Sequence, residues 1–557
     1  MIFKNIERNR VKNKVNNIND TVIKQKKVYT IFFPEIKAQQ KVAFFTAIIA
    51  MVVAHFYVFT NKIVNHDDVN RLLIGDTHEA KIQHGRWAAV LFDYASGSSA
   101  SIPYVIGMIS LVAFAGTCVV VSALFRVQKK ITTILLCVIL CTFPVLANIF
   151  LYNYIADVYF ISLFLAAWGV WLLVGECRVQ KMLGIVCLTL SCGCYQAFWC
   201  FGIGLLFIYL LLKFLEEDKA LKTYVLEVCV TLLLLAVSLI LYLLINMIVQ
   251  RASGYGATGY QGISNMGNFG SIKRLIYVTI VSYFEFVKFF YLKGGFTDSV
   301  LMIAVNLCLT AASVWMLVRY PIKKRKGNWI ILAGLICCIP LASNLISVVS
   351  QNETHVLMKY AFTIPYILCL VLVERTDLQM EKRNSGYWKI LSFLIVFMIG
   401  GIAYNGYILG NEIYFRQQLN YEATYSYTLR MLQRIEETEG YSPDMAVAIV
   451  NENPGYNDHI TIMQENYPDE MAHFDYLNGM IGTEPHSFVK RINDIADMCK
   501  HYHGYDLQIV DNAILKDLIQ TEEFAQMPVY PAKGSLKIID NVLMIKISGD
   551  VYEQSED

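Results

Sequence analysis

The sequence predicts a polytopic α-helical membrane protein of about eleven transmembrane helices, followed by a small C-terminal extracytoplasmic α/β domain. Three observations predict it. Of 557 residues, 56% are hydrophobic; the apolar residues gather into runs of bilayer length; and the short loops dense in Lys and Arg all fall on one side. A mean hydropathy of +0.45 is too high for a soluble chain. The formal charge of +2 conceals a polarised distribution. From Asn411 onward about ten basic residues face about twenty-five acidic ones, roughly −15, which leaves roughly +17 before it. A basic apolar body with an acidic tail argues for two compartments. The positive charge sits in loops beside spans, which excludes nucleic acid as a partner.

Lys and Arg in short loops stay cytoplasmic, and this orients each span. Residues 1–41 read as a basic cytoplasmic leader that ends in the apolar patch "YTIFFPEI" and shows no signal-peptide pattern. Span 1 (about 42–60) leaves the cytoplasm, and span 2 (about 104–125) returns to "RVQKK". Span 3 (about 131–150) exits to "NIFLYNYIAD", and span 4 (about 157–174) returns to "ECRVQK". Spans 5 and 6 (about 183–197 and 198–213) form a tight pair that returns to "KFLEEDKALK". Span 7 (about 223–249) exits to a Gly-rich loop, and the stretch "IKRLIYVTIVSYFEFVKFFYL" is expected to lie in the outer interface. Span 8 (about 299–318) returns to "RYPIKKRKGN" and span 9 (about 329–349) exits. Span 10 (about 360–373) returns to "ERTDLQMEKR", and span 11 (about 388–410) exits for the last time. The transmembrane domain is thus 42–410, with a large first outer loop at 61–103, and 411–557 form the outer domain.

In that tail "SYTLRMLQRIEETE" has helical periodicity, "MAVAIV" reads as a strand, and "SFVKRINDIADMCKHY" reads as a helix. "DLQIV" reads as another strand, and "SLKIIDNVLMIKIS" as a hairpin around Asp540 and Asn541. Of fourteen cysteines, most (Cys118, Cys137, Cys192, Cys337 and Cys338 among them) stand in apolar runs as small hydrophobes. Cys499 alone lies in the tail, so an internal disulfide there is excluded. Cys192 and Cys194 have the wrong spacing for a zinc knuckle.

The first outer loop carries the chemistry. "FTNKIVNHDDVNRLL" places Asp67 and Asp68 behind His66, directly after span 1. One reading is a plain helix cap for "VNRLL". The loop goes on, however, with Asp76, His78, Glu79 and His84, then Arg86 and Trp87 in "HGRWAAVLFDY". Arginine is a fixed planar cation suited to phosphate, and Trp87 suits either a sugar face or the interfacial belt. Glycosyl transfer needs this inventory: a carboxylate to deprotonate the attacking hydroxyl and cations to stabilise a departing phosphate. Lys359, Arg251, Lys273 and Arg274 at outer span ends either snorkel or meet the same phosphate. Tyr255 and Tyr260 in the Gly-rich loop suit sugar stacking, and Glu285 is an acid in an apolar stretch.

An acidic pair after span 1, a large outer loop with "GRW", many spans and an outer tail resemble the integral-membrane GT-C glycosyltransferases. The segments "HDD", "HGRW" and "CGCYQAFW" are similar to those of the bacterial glucosyltransferase type II family, which includes serotype-converting O-antigen glucosyltransferases. The likeness covers roughly 42–410. It implies a GT-C-like fold in a bacterial cell membrane and transfer of a hexose, glucose first, from a polyprenyl-phosphate donor to a surface glycan, with inversion. It implies Asp67 or Asp68 as the base. Donor binding would fall to Arg86 and Trp87 with His66, His84, Tyr195, Gln196 and Lys359. Tyr195 and Gln196 read equally as an ordinary outer turn. His66, Asp67, Asp68, His78 and Glu79 have the chemistry to collect a divalent ion, but a leaving polyprenyl monophosphate carries less charge than a nucleoside diphosphate, so cationic side chains are expected to suffice without metal or other cofactor. The reading from another class is a transporter or flippase for a lipid-linked glycan, and a third is a sensor or scaffold.

Overall fold

A computed structural model of the chain describes residues 32–61, 78–93, 102–217, 220–257, 271–293, 299–319, 329–351, 354–380, 386–450 and 488–547. Helix α1 (Ala38–Thr60) precedes two short helices, α2 (His78–Gln83) and α3 (Ala89–Asp93). Then come α4 (Pro103–Leu124), α5 (Lys130–Thr142), α6 (Val145–Phe150), a 3-10 turn (Asn153–Ile155) and α7 (Ala156–Leu173). The chain continues through α8 (Arg178–Cys194), α9 (Gln196–Glu216), α10 (Leu221–Ser253), α11 (Ile272–Tyr291) and α12 (Val300–Arg319). Next are α13 (Trp329–Ser343), α14 (Leu345–Val349), a 3-10 segment (Val356–Thr363), α15 (Ile364–Met380) and α16 (Gly386–Glu436).

Among the described residues eight helices are long and apolar enough to cross a membrane, and α5 and α13 are shorter apolar helices. Helices satisfy their own backbone hydrogen bonds, so apolar helices of this length mark a membrane-embedded protein. Two expected spans are broken instead of continuous. Span 3 divides into α5 and α6 at Phe143–Pro144, because proline lacks the N–H and its ring clashes with the preceding turn. Span 9 divides into α13 and α14 at Asn344, whose φ of −122° and ψ of 28° leave the helical region, and Pro340 already loosens the turn before it.

Apolar burial cannot drive helices together inside lipid, so close packing and interhelical hydrogen bonds must do it. Ser162 and Ser191 donate to each other's carbonyl oxygens, each at 2.9 Å, and clip α7 to α8. His55 joins three helices: its Nε2 meets the Cys141 carbonyl at 2.8 Å and its Nδ1 meets the Tyr414 hydroxyl at 2.7 Å. A carbonyl only accepts, so Nε2 carries the proton and Tyr414 donates to Nδ1. At the opposite end, the Glu374 carboxylate accepts the backbone N–H groups of Gln128 (2.7 Å) and Lys129 (3.4 Å), capping α5 from α15. Arg375 reaches Glu216 at 2.8 Å beside it.

The long helix α16 spans 51 residues and runs on past residue 410, where its apolar stretch ends. Its far end supplies Tyr427, Met431, Leu432 and Ile435 to a second hydrophobic cluster. There β1 (Ala446–Val450), α17 (Phe488–Tyr502), β2 (Gln508–Ile509), α18 (Asn512–Ile519), α19 (Glu522–Ala525), β3 (Leu536–Ile539) and β4 (Val542–Lys546) follow. The sheet order is β2-β1-β4-β3. β1 runs parallel to both neighbours, and β3–β4 is an antiparallel hairpin. Asp540 and Asn541 turn it with φ of 48° and 63°, the left-handed pair that a two-residue hairpin requires.

His503 follows α17, and its Nε2 hydrogen-bonds the Thr428 hydroxyl of α16 at 2.8 Å. Burial holds its pKa below the ordinary 6.5. The unfolded chain therefore gains this proton before the folded one does, and stability should fall as pH drops through 6.5 toward the lower folded value. His503→Gln should remove that loss. Thiol labelling of buried Cys499, compared between the two proteins at pH 7.5 and 5.5, measures it; equal labelling ratios at both pH values would contradict it.

Candidate active site

The site begins with a tight turn. After α2, the Arg86 N–H donates to the Lys81 carbonyl at 2.7 Å, and Gly85 makes the reversal at φ +70°. A Cβ at Gly85 would stand 2.6 Å from the Tyr242 hydroxyl and 2.9 Å from the Gln196 amide nitrogen. Handedness and crowding both demand glycine. The turn is held by other elements: Gln196 Nε2 donates to the His84 carbonyl at 2.8 Å and to the Tyr242 hydroxyl at 2.9 Å. The Tyr242 hydroxyl in turn donates to the Gly85 carbonyl at 3.2 Å. One step on, the Ala88 N–H donates to the Gly193 carbonyl at 2.9 Å. Gly193 has no side chain, and a Cβ there would lie 2.8 Å from the Trp87 ring. The sequence segments "HGRW" and "CGCYQAFW", more than a hundred residues apart, thus close on each other as one unit.

Arg86 is the charged centre of this unit. Its guanidinium lies 4.8 Å from the centre of the Tyr195 ring, and Nη1 meets the Tyr159 hydroxyl at 3.4 Å. Tyr159 and Tyr195 pack with centroids 4.6 Å apart. An arginine held over an aromatic face and bonded to a tyrosine hydroxyl is oriented before any ligand arrives, and the ring face favours the cation. Behind it, Lys81 Nζ and Asp93 Oδ2 form a buried ion pair of 2.6 Å. At the start of α7, buried Asp157 turns Oδ1 to the Val158 N–H at 2.9 Å. The arrangement presents a half-buried cation framed by aromatic rings, the chemistry that grips a phosphate beside a sugar.

Of the sequence-predicted residues, the structure brings together Arg86, Trp87, Tyr195, Gln196 and the His84 carbonyl. Lys359 sits at a kink of the 3-10 segment before α15 (φ −92°, ψ 18°), and no hydrogen bond or ion pair among the described residues ties it to Arg86. Arg274 hydrogen-bonds the Gln351 side chain. Glu79 lies in the first turn of α2 and accepts from Gln83 at 3.1 Å. His66, Asp67, Asp68, Asp76 and Tyr260 lie outside the described residues. Within those described, no group of three or more His, Cys, Asp or Glu could hold a metal ion. Sequence reasoning missed Lys81, Asp93, Tyr159 and Tyr242. Of these only Asp93 gave a signal, as the acid near the end of the "HGRWAAVLFDY" segment.

No curated protein and no solved structure matches the chain. The family described as Glucosyl transferase GtrII matches residues 56–374, more than half of the sequence and all of the cluster just described. The glycine-dependent closure of "HGRW" on "CGCYQAFW" thus lies inside the matched region, and the chain belongs to the GtrII glucosyltransferase family.

Proposed function

We propose that the protein transfers a hexose, glucose first, from a polyprenyl-phosphate donor to a cell-surface glycan on the outer face of a bacterial cell membrane, through a GT-C-type site. The observation that carries this reading is the Arg86–Tyr159–Tyr195 cluster within a membrane-embedded member of a glucosyltransferase family. Asp67 or Asp68 takes the proton of an acceptor hydroxyl, and the oxygen attacks the anomeric carbon from the face opposite the phosphate. The carbon–oxygen bond to phosphate breaks, its electron pair leaves with polyprenyl phosphate, and Arg86 balances that charge. The configuration inverts. In this orientation the N-terminus is cytoplasmic and the C-terminal sheet extracytoplasmic.

The reading is tested by incubating purified protein with polyprenyl-phosphate glucose and surface glycan and measuring free polyprenyl phosphate. Release should require the glycan and persist in EDTA. Activity lost in EDTA and restored by Mg²⁺ would overturn metal independence. The broken spans at Pro144 and Asn344 favour one second reading, a flippase, because interrupted helices recur in transporters. Movement of intact lipid-linked sugar across vesicles without phosphate release would establish that reading instead.

A further inference from the structure

One face of α10 bears on the Arg86 turn. The helix is 33 residues long, yet only Tyr224, Leu235, Ser238 and Tyr242 of it are buried. Near its outer end Leu243, Leu244 and Ile248 are exposed, as suits a helix facing lipid. Tyr242, Asn246 and Gln250 interrupt that apolar stretch. Residues four apart share one helix face, and a membrane helix turns a polar face toward protein. Here the face meets residues 82–86. The Tyr242 hydroxyl donates to the Gly85 carbonyl at 3.2 Å, and Gln250 Nε2 donates to the Ile82 carbonyl at 3.0 Å. Between them, Asn246 Oδ1 stands 3.6 Å from where a Gly85 Cβ would be. With Gln196 Nε2 on the His84 carbonyl at 2.8 Å, the carbonyls of Ile82, His84 and Gly85 all take side-chain donors from α9 and α10.

Those carbonyls matter to the cation that follows them. They close the C-terminal end of α2, and carbonyls at a helix C-terminus carry partial negative charge that draws arginine and lysine side chains. Arg86 comes directly after them in the chain. Neutral donors from α9 and α10 occupy the carbonyls, and the guanidinium lies instead 4.8 Å from the centre of the Tyr195 ring, with Nη1 3.4 Å from the Tyr159 hydroxyl. A buried carbonyl without a donor is costly, so a donor removed from α10 leaves an acceptor that the guanidinium can turn back to fill. We propose that Tyr242 and Gln250 are positioning residues: by holding the Gly85 and Ile82 carbonyls they keep the Arg86 guanidinium on the tyrosine side of the turn, where the donor phosphate meets it. They act through Arg86 and not on the substrate. The inference rests on the glucosyltransferase reading and adds α10 to the elements that build the site.

A double-mutant cycle on the purified full chain tests this. Tyr242→Phe keeps the ring and removes the donor, and Gln250→Met keeps the length and removes the amide. Each should raise the donor KM and lower kcat/KM for polyprenyl-phosphate glucose about 3- to 10-fold, while the acceptor KM stays within about two-fold of wild type. In an Arg86→Ala background neither change should cost more than about two-fold, because nothing is left to position. Should Tyr242→Phe fail to fold, Gln250→Met, at a half-buried position, carries the cycle alone. Equal losses with and without Arg86 would show a purely structural role for α10 and overturn the proposal. Wild-type values in both single variants would overturn it as well, and release of polyprenyl phosphate by those variants would leave the transferase reading standing. If wild type releases no polyprenyl phosphate, the transferase reading fails, and the cycle is read instead as affinity for polyprenyl phosphate. Losses that depend on Arg86 would then keep the positioning role, and losses independent of it would end it.

Discussion

On the proposed mechanism, asparagine at whichever of Asp67 and Asp68 is the base is expected to lower kcat by about 10²–10⁴-fold, roughly 3–5 kcal/mol of transition-state stabilisation. Donor binding should remain, because the proposed base acts on the acceptor hydroxyl and not on the donor phosphate. The two aspartates should differ, since adjacent residues on a helix point about 100° apart and only one can address the acceptor. Single-turnover rates and donor titrations on Asp67→Asn and Asp68→Asn separate the effects. If both variants and the double mutant keep wild-type rates, the pair is a helix cap and the base lies elsewhere.

Arg86→Ala should have the next largest effect, and of a different kind. A phosphate is charged in the ground state as well as in the transition state, so donor KM should rise and kcat should fall together. Loss of a preorganised charge-stabilising donor typically costs about 10²–10³-fold, so kcat/KM should drop by about that factor, roughly 3–4 kcal/mol. Arg86→Lys should recover only part of it: a lysine keeps the charge but not the planar, multidentate guanidinium that stands 4.8 Å from the centre of the Tyr195 ring. Tyr195→Phe, which keeps the ring face, should retain most activity. A wild-type donor KM in Arg86→Ala would place the phosphate away from the "HGRW" turn.

The difference between these two predictions reflects where the residues were legible. Both came from the loop after the first apolar run, yet the structure describes the surroundings of Arg86 alone. The partners of Arg86 were partly hidden. Tyr195 was visible in "CGCYQAFW", whereas Tyr159 and Tyr242 look like ordinary aromatic residues of apolar helices. Nothing in the order of residues announces that Gly85 stands against the Tyr242 hydroxyl, or that Lys81 pairs with Asp93 twelve residues on.

Hydropathy runs, the Asp540–Asn541 hairpin and the strands of the C-terminal sheet are local properties. A helix in lipid must satisfy its own backbone, and a left-handed two-residue turn needs residues that tolerate positive φ, so these features could be read one segment at a time. The break at Pro144 also carried its cause in sequence. The continuation of α16 through residue 410 did not: its apolar run ends there, but helix geometry does not end with hydrophobicity, and packing of Tyr427, Met431 and Ile435 against the sheet keeps it wound. The Asn344 break and the Arg86 cluster depend on partners supplied by distant helices, Glu285 and Ser282 in one case, Tyr159 and Tyr195 in the other. Such hydrogen bonds and ring contacts arise only once the helices pack, because each joins side chains whose separation along the chain says nothing of their separation in space.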